Sequence, residues 1–353
     1  MDKTRKTVVP ILDQIAQELG VSKKTVSRVL GGKRSPVYHK ATERSRQILE
    51  IARRLKYRPN AAAKAVVTGK FHCVTLLLSP LREEYSVIMP GLLDGMYDGL
   101  AEQNYHLMMA RVEETEIQMQ APHSLPKALR ENMSDGFLIN YFGKTPDRLI
   151  ELIKSYDNPL ICVNLKNDAD CVYPDDIGGA RQATEHFIRL GHRGIAYARC
   201  QQHDHYSNRD RRQGYLQAVG AAGIMPQVFE AESLPPNGGM EAHLTDLFKR
   251  PGHPTAVVCY DSDTSAVILA AAGRAGLQVP RDISLLQFAA YKKLADWRVG
   301  TMLLPWQQIG TTAVRELLAK IEDPRRTFPP VAIMPELQEW NTVARPPSPF
   351  PPQ

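Results

Sequence analysis

Cysteine is sparse and scattered in this chain. Cys73, Cys162, Cys171, Cys200 and Cys259 are odd in number and never form a C-x-x-C pair. That excludes a disulfide framework and a zinc knuckle and points to reduced thiols in a cytoplasm. Long apolar runs are missing as well. The triplet Leu76 to Leu78 suffices for a buried strand but not for a membrane span. The opening MDKTRKTVVP lacks the apolar stretch of a signal peptide. No leucine heptad supports a coiled coil, and GAAG at 220–223 follows a helical pattern, not a strand, so it is no dinucleotide fingerprint. The histidines of the HDH run at 203–205 and the pair His186 and His192 lack i,i+4 spacing with a carboxylate. They read as loop or core histidines and not as metal ligands. No Ser-His-Asp or paired-carboxylate arrangement emerges from the spacing. The expectation is a protein that is not an enzyme, with no cofactor, metal or membrane partner.

What is present points elsewhere. At 353 residues the chain is long enough for two or three domains, and 43% hydrophobic with 23% charged residues is ordinary for a globular protein. The net charge of +6 is unevenly spread. Residues 1–70 are rich in Lys and Arg while the remainder is close to balanced, so attraction to phosphates is concentrated at one end.

Within that basic end, Leu12, Ile15, Ala16 and Leu19 recur at helical spacing. Gly20 breaks the pattern where a tight turn wants positive φ. Ser22 can then cap a second helix with Val26, Val29 and Leu30 on its apolar face. A small residue, a turn glycine and a buried aliphatic let two short helices cross closely. The result is a helix-turn-helix whose second helix presents Lys23, Lys24, Thr25, Ser27 and Arg28 outward. After the basic loop GGKRSPVYHK, a third helix is predicted over roughly 42–56. In the following YRPNAAAKAVVTGK, Pro59 enforces an extended entry, Asn60 can cap, and the alanines favour a helix too short to hold alone in water. It reads as a hinge that orders on binding.

GVSKKTVSRVL, a third helix and YRPNAAAKAV, in that order, resemble the head and hinge of the LacI/GalR family of transcriptional regulators. From Phe71 onward apolar strands (FHCVTLLLS, YHLMMARV, DGFLIN, PLICVNL) alternate with helical segments, and the pattern restarts after Asp175. Such alternation predicts two α/β lobes with parallel sheets, competent to bind at their strand ends. The blocks GGARQATEHFIRLGHRGIAYA, DRRQGYLQAVGAAGI and DSDTSAVILAAAGRAGLQVPRDISLLQF continue the resemblance, as does TMLLPWQQIGTTAVRELLAKI. The implied fold class is an N-terminal all-α helix-turn-helix head plus an α/β two-lobed, periplasmic-binding-protein-like (type I) effector domain. The expected divisions are a head at 1–57, a hinge at 58–69, a body at 70–345 and a proline-rich disordered tail at 346–353. Lobe 1 is expected at about 70–170 and 300–334, lobe 2 at about 171–299 and 335–345, with crossings near Asp170, Val299 and Pro335.

The resemblance also assigns roles. Lys23 and Lys24 occupy positions from which family members read base edges, although lysine suits phosphates equally. Arg28 has the planar fork for bidentate contact with guanine, and Thr25 and Ser27 complete the motif. Ser22 reads as a cap and phosphate contact. Asn60 and Lys64 belong to the hinge, and Val66 stands where a family leucine wedges into the minor groove. A shorter β-branched wedge predicts a shallower kink. The longer loop before the third helix offers Lys33 and Arg34 to phosphates. In the body, Arg211 matches the R-x-x-G-aromatic block that binds effector oxygens, with a lobe-spanning salt bridge as the structural alternative. Asp263 follows a family Asn-Asp block in which Ser262 replaces the asparagine, and Asp261 is a substitute carboxylate. Tyr85, Tyr206 and Trp306 offer faces for stacking on a sugar. Ala289 departs from the family's usual aspartate.

The reading that follows is a cytoplasmic, nucleoid-associated homodimeric repressor of carbohydrate-metabolism genes. It would bind a pseudo-palindromic double-stranded operator under control of a small sugar-like effector. The alternative keeps the DNA binding but has the body answer to a protein partner or a non-sugar metabolite.

Overall fold

The computed structural model describes residues 11–31, 39–79, 89–112, 127–131, 133–141, 147–200, 205–233, 239–290 and 299–347. Tyr85, Lys33, Arg34, His203 and the end of the tail from 348 lie outside them. The chain divides into two compact units, Met1–Phe71 and His72–Gln353.

The first unit is helical. α1 (Ile11–Glu18), α2 (Lys23–Leu30) and α3 (His39–Arg54) enclose a small core of Ile15, Val26, Ile48, Ile51 and Ala52. Gly20 turns the chain between α1 and α2 at φ +59°, a conformation that costs a side-chain-bearing residue but not glycine. α4 (Ala61–Thr68) is capped at both ends. Asn60 Oδ1 accepts from the amides of Ala62 at 3.0 Å and Ala63 at 3.2 Å, and Gly69 closes it at φ +70°. The segment expected to be the hinge is helical over Ala61–Thr68. Its two caps satisfy end groups that a bare alanine segment would leave to water.

The second unit carries two parallel sheets. The first takes β1 (Cys73–Leu78), β2 (His106–Arg111), β3 (Gly136–Asn140), β4 (Leu160–Val163), β5 (Cys171–Pro174) and β11 (Val331–Ile333), in the order β11-β5-β4-β3-β1-β2. It is covered by α5 (Pro90–Glu102), α6 (Lys127–Arg130), α7 (Asp147–Ser155) and α12 (Trp306–Glu322). The second takes β6 (Ile195–Arg199), β7 (Gln227–Glu230), β8 (Ala256–Cys259), β9 (Ser284–Ala289), β10 (Gly300–Leu303) and β12 (Glu336–Gln338), in the order β12-β10-β9-β8-β6-β7. α8 (Asp176–Leu190), α9 (Tyr206–Ala221), α10 (Gly239–Phe248) and α11 (Ser262–Arg274) pack on it. All its pairings are parallel except β10 with β12.

The crossings correct the expected lobe boundaries at two points. β5 belongs to the first sheet, so the chain leaves lobe 1 after Pro174 and not near Asp170. β10 belongs to the second sheet, so the return follows Leu303 and not Val299. Strands of four residues carry too little alternation to show which sheet they join. The third crossing lies between Ile333 and Glu336. Among the described residues no helix is long and apolar enough to cross a membrane.

Candidate DNA-reading surface and interlobe site

α2 is built as a rigid platform. Ser22 Oγ accepts the Thr25 amide at 3.1 Å and shares a hydrogen bond with Thr25 Oγ1 at 2.9 Å, so Ser22 and Thr25 shape the helix start. Val26 is fully buried beneath. Lys24, Ser27 and Arg28 lie exposed on the other side, and neither cation has an ion-pair or hydrogen-bond partner among the described residues. Lys23 differs, since its ammonium lies 3.0 Å from the carboxylate of Asp13 on α1. Arg54 of α3 is ion-paired with Glu18, tying the third helix to the first. In the other short helix of this unit, Asn60 is spent on the cap, Lys64 is exposed, and Val66 and Val67 are 86% and 85% exposed. They form an adjacent pair of bare aliphatics on a helix that is otherwise mostly alanine.

In the body, the two lobes meet at the start of α9. Its N-cap, His205, donates from Nε2 to the Asn164 carbonyl of lobe 1 at 3.1 Å. Its Nδ1 must therefore accept, and it does so from Ser207 Oγ at 2.7 Å, which leaves Ser207 to accept from the Tyr260 hydroxyl at 2.7 Å. Tyr206 donates to Asn164 Oδ1 at 3.4 Å and meets the Tyr173 ring of β5 edge-on, with centroids 5.8 Å apart. Burial pushes the Tyr206 phenol well above its usual pKa. Lys166 of lobe 1 reaches Asp210 of α9 at 2.6 Å, and that aspartate is 3% exposed. The lobe-spanning salt bridge anticipated as an alternative for Arg211 is thus made by its neighbour.

Arg211 itself is buried within lobe 2. Nε donates to Asp176 Oδ1 at 2.6 Å and Nη1 to the Tyr260 carbonyl at 2.6 Å. The guanidinium also lies over the rings of Tyr260 and Phe288, 4.5 and 4.3 Å from their centroids. Burial works against its charge, but the Asp176 carboxylate more than compensates and holds it protonated. The rest of its block is architectural. A side chain at Gly214 would stand 2.2 Å from the Ile177 carbonyl, so glycine lets α8 and α9 touch. The Tyr215 hydroxyl donates to the Ile195 carbonyl at 2.9 Å and accepts the Gln227 amide at 2.8 Å, pinning β6 to β7.

The remaining sequence-derived candidates scatter. Asp261 caps α11, accepting the Thr264 amide at 2.8 Å, beside the Tyr260 whose carbonyl Arg211 holds. Asp263 is exposed on the first turn of α11. Trp306 opens α12 within the lobe 1 core, 7% exposed, with an indole N–H that has no hydrogen-bond partner among the described residues. β9 ends on Ala289, whose carbonyl accepts the Leu304 amide at 3.0 Å. His192 is held between Thr255 and the Ala344 carbonyl, a core role. Asn164, Lys166, Asp176, Ser207, Asp210 and Tyr260 are the groups that sequence reasoning passed over, and His205, read there only as a loop or core histidine, caps α9 where the lobes meet. Only Asp210 carried a signal, standing four residues after Tyr206 and so on the same helix face.

A helix-turn-helix followed by a two-lobed α/β body with polar contacts across its lobes is the plan of a DNA-binding transcriptional regulator, not of an enzyme. Residues 11–60 match the family described as bacterial regulatory proteins, lacI family, and residues 184–342 match the periplasmic binding protein-like domain. The head thus carries the lacI-family match and the body the periplasmic-binding-like one. It is 26% identical over 329 residues to the HTH-type transcriptional regulator PtxS of Pseudomonas putida, covering 90% of this chain and 91% of that one. Its fold matches the lac repressor dimer bound to operator and the anti-inducer ONPF, with a TM-score of 0.73 at 19% identity over 95% of this chain and 99% of that one. It also matches the transcriptional regulator CelR–cellobiose complex, with a TM-score of 0.63 at 22% identity over 95% and 100% of the two chains.

Proposed function

We propose that the protein is a homodimeric repressor of carbohydrate-metabolism genes that binds a pseudo-palindromic operator and is switched by a small sugar-like effector held between its lobes. The observation that carries this reading is α2, a capped and packed helix whose Lys24, Ser27 and Arg28 project unpaired from its solvent face. Two such helices read half-sites in successive major grooves. Lys64 serves phosphates, and Val66 is the minor-groove wedge of the hinge.

The interlobe contacts supply the switch. Lys166–Asp210 and Asn164–His205 join the lobes at one end of α9, so a ligand entering there changes their geometry. Arg211 has guanidinium N–H groups beyond the two it gives to Asp176 and the Tyr260 carbonyl, which are donors for a ligand oxygen, and Tyr206 offers a ring face. The solved relative holding cellobiose and the one holding operator with an anti-inducer support this assignment. Coupling is reciprocal, so effector and operator alter each other's affinity by one common factor.

Ala289 favours a second reading, an effector that is not a neutral diol or a protein partner, because β9 ends on a methyl group with no carboxylate to accept paired hydroxyls. Thermal melts of the full chain against a panel of mono- and disaccharides separate the two. A rise of several degrees with one sugar, matched by altered retention of duplex DNA in gel shifts, supports the first reading. No shift with any sugar overturns it in favour of the second.

A further inference from the structure

One charged contact of the head stands apart. Asp13, in the first turn of α1, has both carboxylate oxygens 3.0 Å from the ammonium of Lys23, the first residue of α2. The pair is on the surface, with 56% of the lysine side chain and 32% of the aspartate exposed. The other acid of these two helices, Glu18, is engaged with Arg54. Asp13 is therefore the carboxylate that accompanies the reading residues Lys24, Ser27 and Arg28. An exposed ion pair contributes little to stability, and an acid in a first helical turn adds a weak dipole term. Neither effect accounts for a negative group on a face that meets a polyanion, where it lowers affinity for every sequence.

We infer that Asp13 is a specificity-determining residue of the DNA-reading surface, holding Lys23 as a positioned donor for one base edge and keeping it off the phosphates. The inference rests on the DNA-binding role proposed above. A lysine ammonium is a point charge on a flexible stem and serves phosphates indiscriminately when free. Tethered to Asp13, it keeps a fixed place at the start of α2, and the donors left over point outward to a guanine O6 or N7. If Lys23 swings to a phosphate, the Asp13 carboxylate is left bare beside the backbone. That penalty falls on wrong registers and not on the right one, which is how specificity is gained at the expense of raw affinity.

The test uses the full chain and a pool of random-sequence duplex DNA, with binding followed by anisotropy across a salt series and bound sequences recovered by selection. Asp13→Asn is expected to bind the random pool several-fold tighter at about 0.1 M salt, with the slope of log affinity on log salt steeper by about one per head. The selected site should lose preference at one base pair in each half-site, and Asp13→Glu should restore it. Lys23→Ala should lose the same base pair with the slope unchanged. An Asp13→Asn variant with wild-type slope and wild-type selected site overturns the inference. So does a Lys23→Ala variant that flattens the slope by about one while the selected site survives. A wild-type chain that selects no sequence overturns the DNA-reading role itself, and is distinguished from both by the control lanes. Melting temperatures close to wild type confirm that each variant is folded.

Discussion

In the head, ion pairs lie at the surface: Lys23–Asp13 and Arg54–Glu18 keep between 32% and 60% of each side chain in solvent. The body has surface pairs too, such as Arg181–Glu185 and Arg274–Glu241, but it also has interior ones. Arg211–Asp176 is 7% and 1% exposed, and Lys320–Asp170 is 10% on both sides. Lys166–Asp210 lies between, with the lysine one-third exposed and the aspartate buried. Water screens the first kind, so those charges cost little and stay available to an external polyanion. The second kind has lost its hydration and depends on its partner, so it dictates internal geometry. The same chemistry thus stays open to solvent in the head and, where it is buried in the body, holds helices in register.

Breaking the most buried pair should have the largest effect. Arg211→Met leaves the Asp176 carboxylate without its cation and is expected to destabilise the body by about 3–5 kcal/mol, read by urea unfolding. Adding Asp176→Asn should recover part of that loss; if the double variant is no better than the single, the charge was not the reason. Lys166→Met removes a pair open to solvent on one side. A smaller loss is expected, about 1–3 kcal/mol for the carboxylate left behind, together with a change in small-angle scattering as the lobes lose their tie. Unaltered scattering would remove Lys166 from the interlobe role.

A pH effect follows from His192. Burial lowers its pKa below the ordinary 6.5, while the hydrogen bond to Ala344 opposes this in part. The unfolded chain therefore binds a proton that the folded chain resists. Stability is full above pH 6.5 and falls as pH drops toward the depressed folded value. His192→Gln should flatten the body's unfolding free energy between about pH 7.5 and 5, measured in urea at fixed salt. An identical pH slope in the variant would assign the titration elsewhere.

The smallest stability effects belong to the exposed face. Arg28→Ala and Val66→Leu should leave melting within about half a kcal/mol of wild type, as surface changes do. Arg28→Ala should relax preference at one operator position with the salt slope nearly unchanged. Val66→Leu should tighten binding and increase bending in a phasing gel. A uniform loss over all sequences would demote Arg28 to a phosphate contact.

Much of the head was legible because its signals are local. Ser22 before Thr25, Gly20 in the turn, Val26 in phase with Val29 and Asn60 before an alanine run each declare their role within one helical turn. The interlobe set was not legible. Asn164 and His205 are separated by forty-one residues and by a crossing between sheets. Asp176 follows another aspartate at a helix start, so it reads as a cap, and only the packing of α8 on α9 shows that Asp175 caps while Asp176 holds Arg211.

By itself the sequence determined the helix-turn-helix, the strand–helix alternation and the basic bias of the first seventy residues, since propensity, capping and periodicity act over a few residues. Tertiary structure decided which four-residue strand joins which sheet and whether a cation faces solvent or a buried carboxylate. It also decided which groups bridge the lobes. Those outcomes depend on desolvation and on contacts between distant segments, and neither leaves a trace in local pattern.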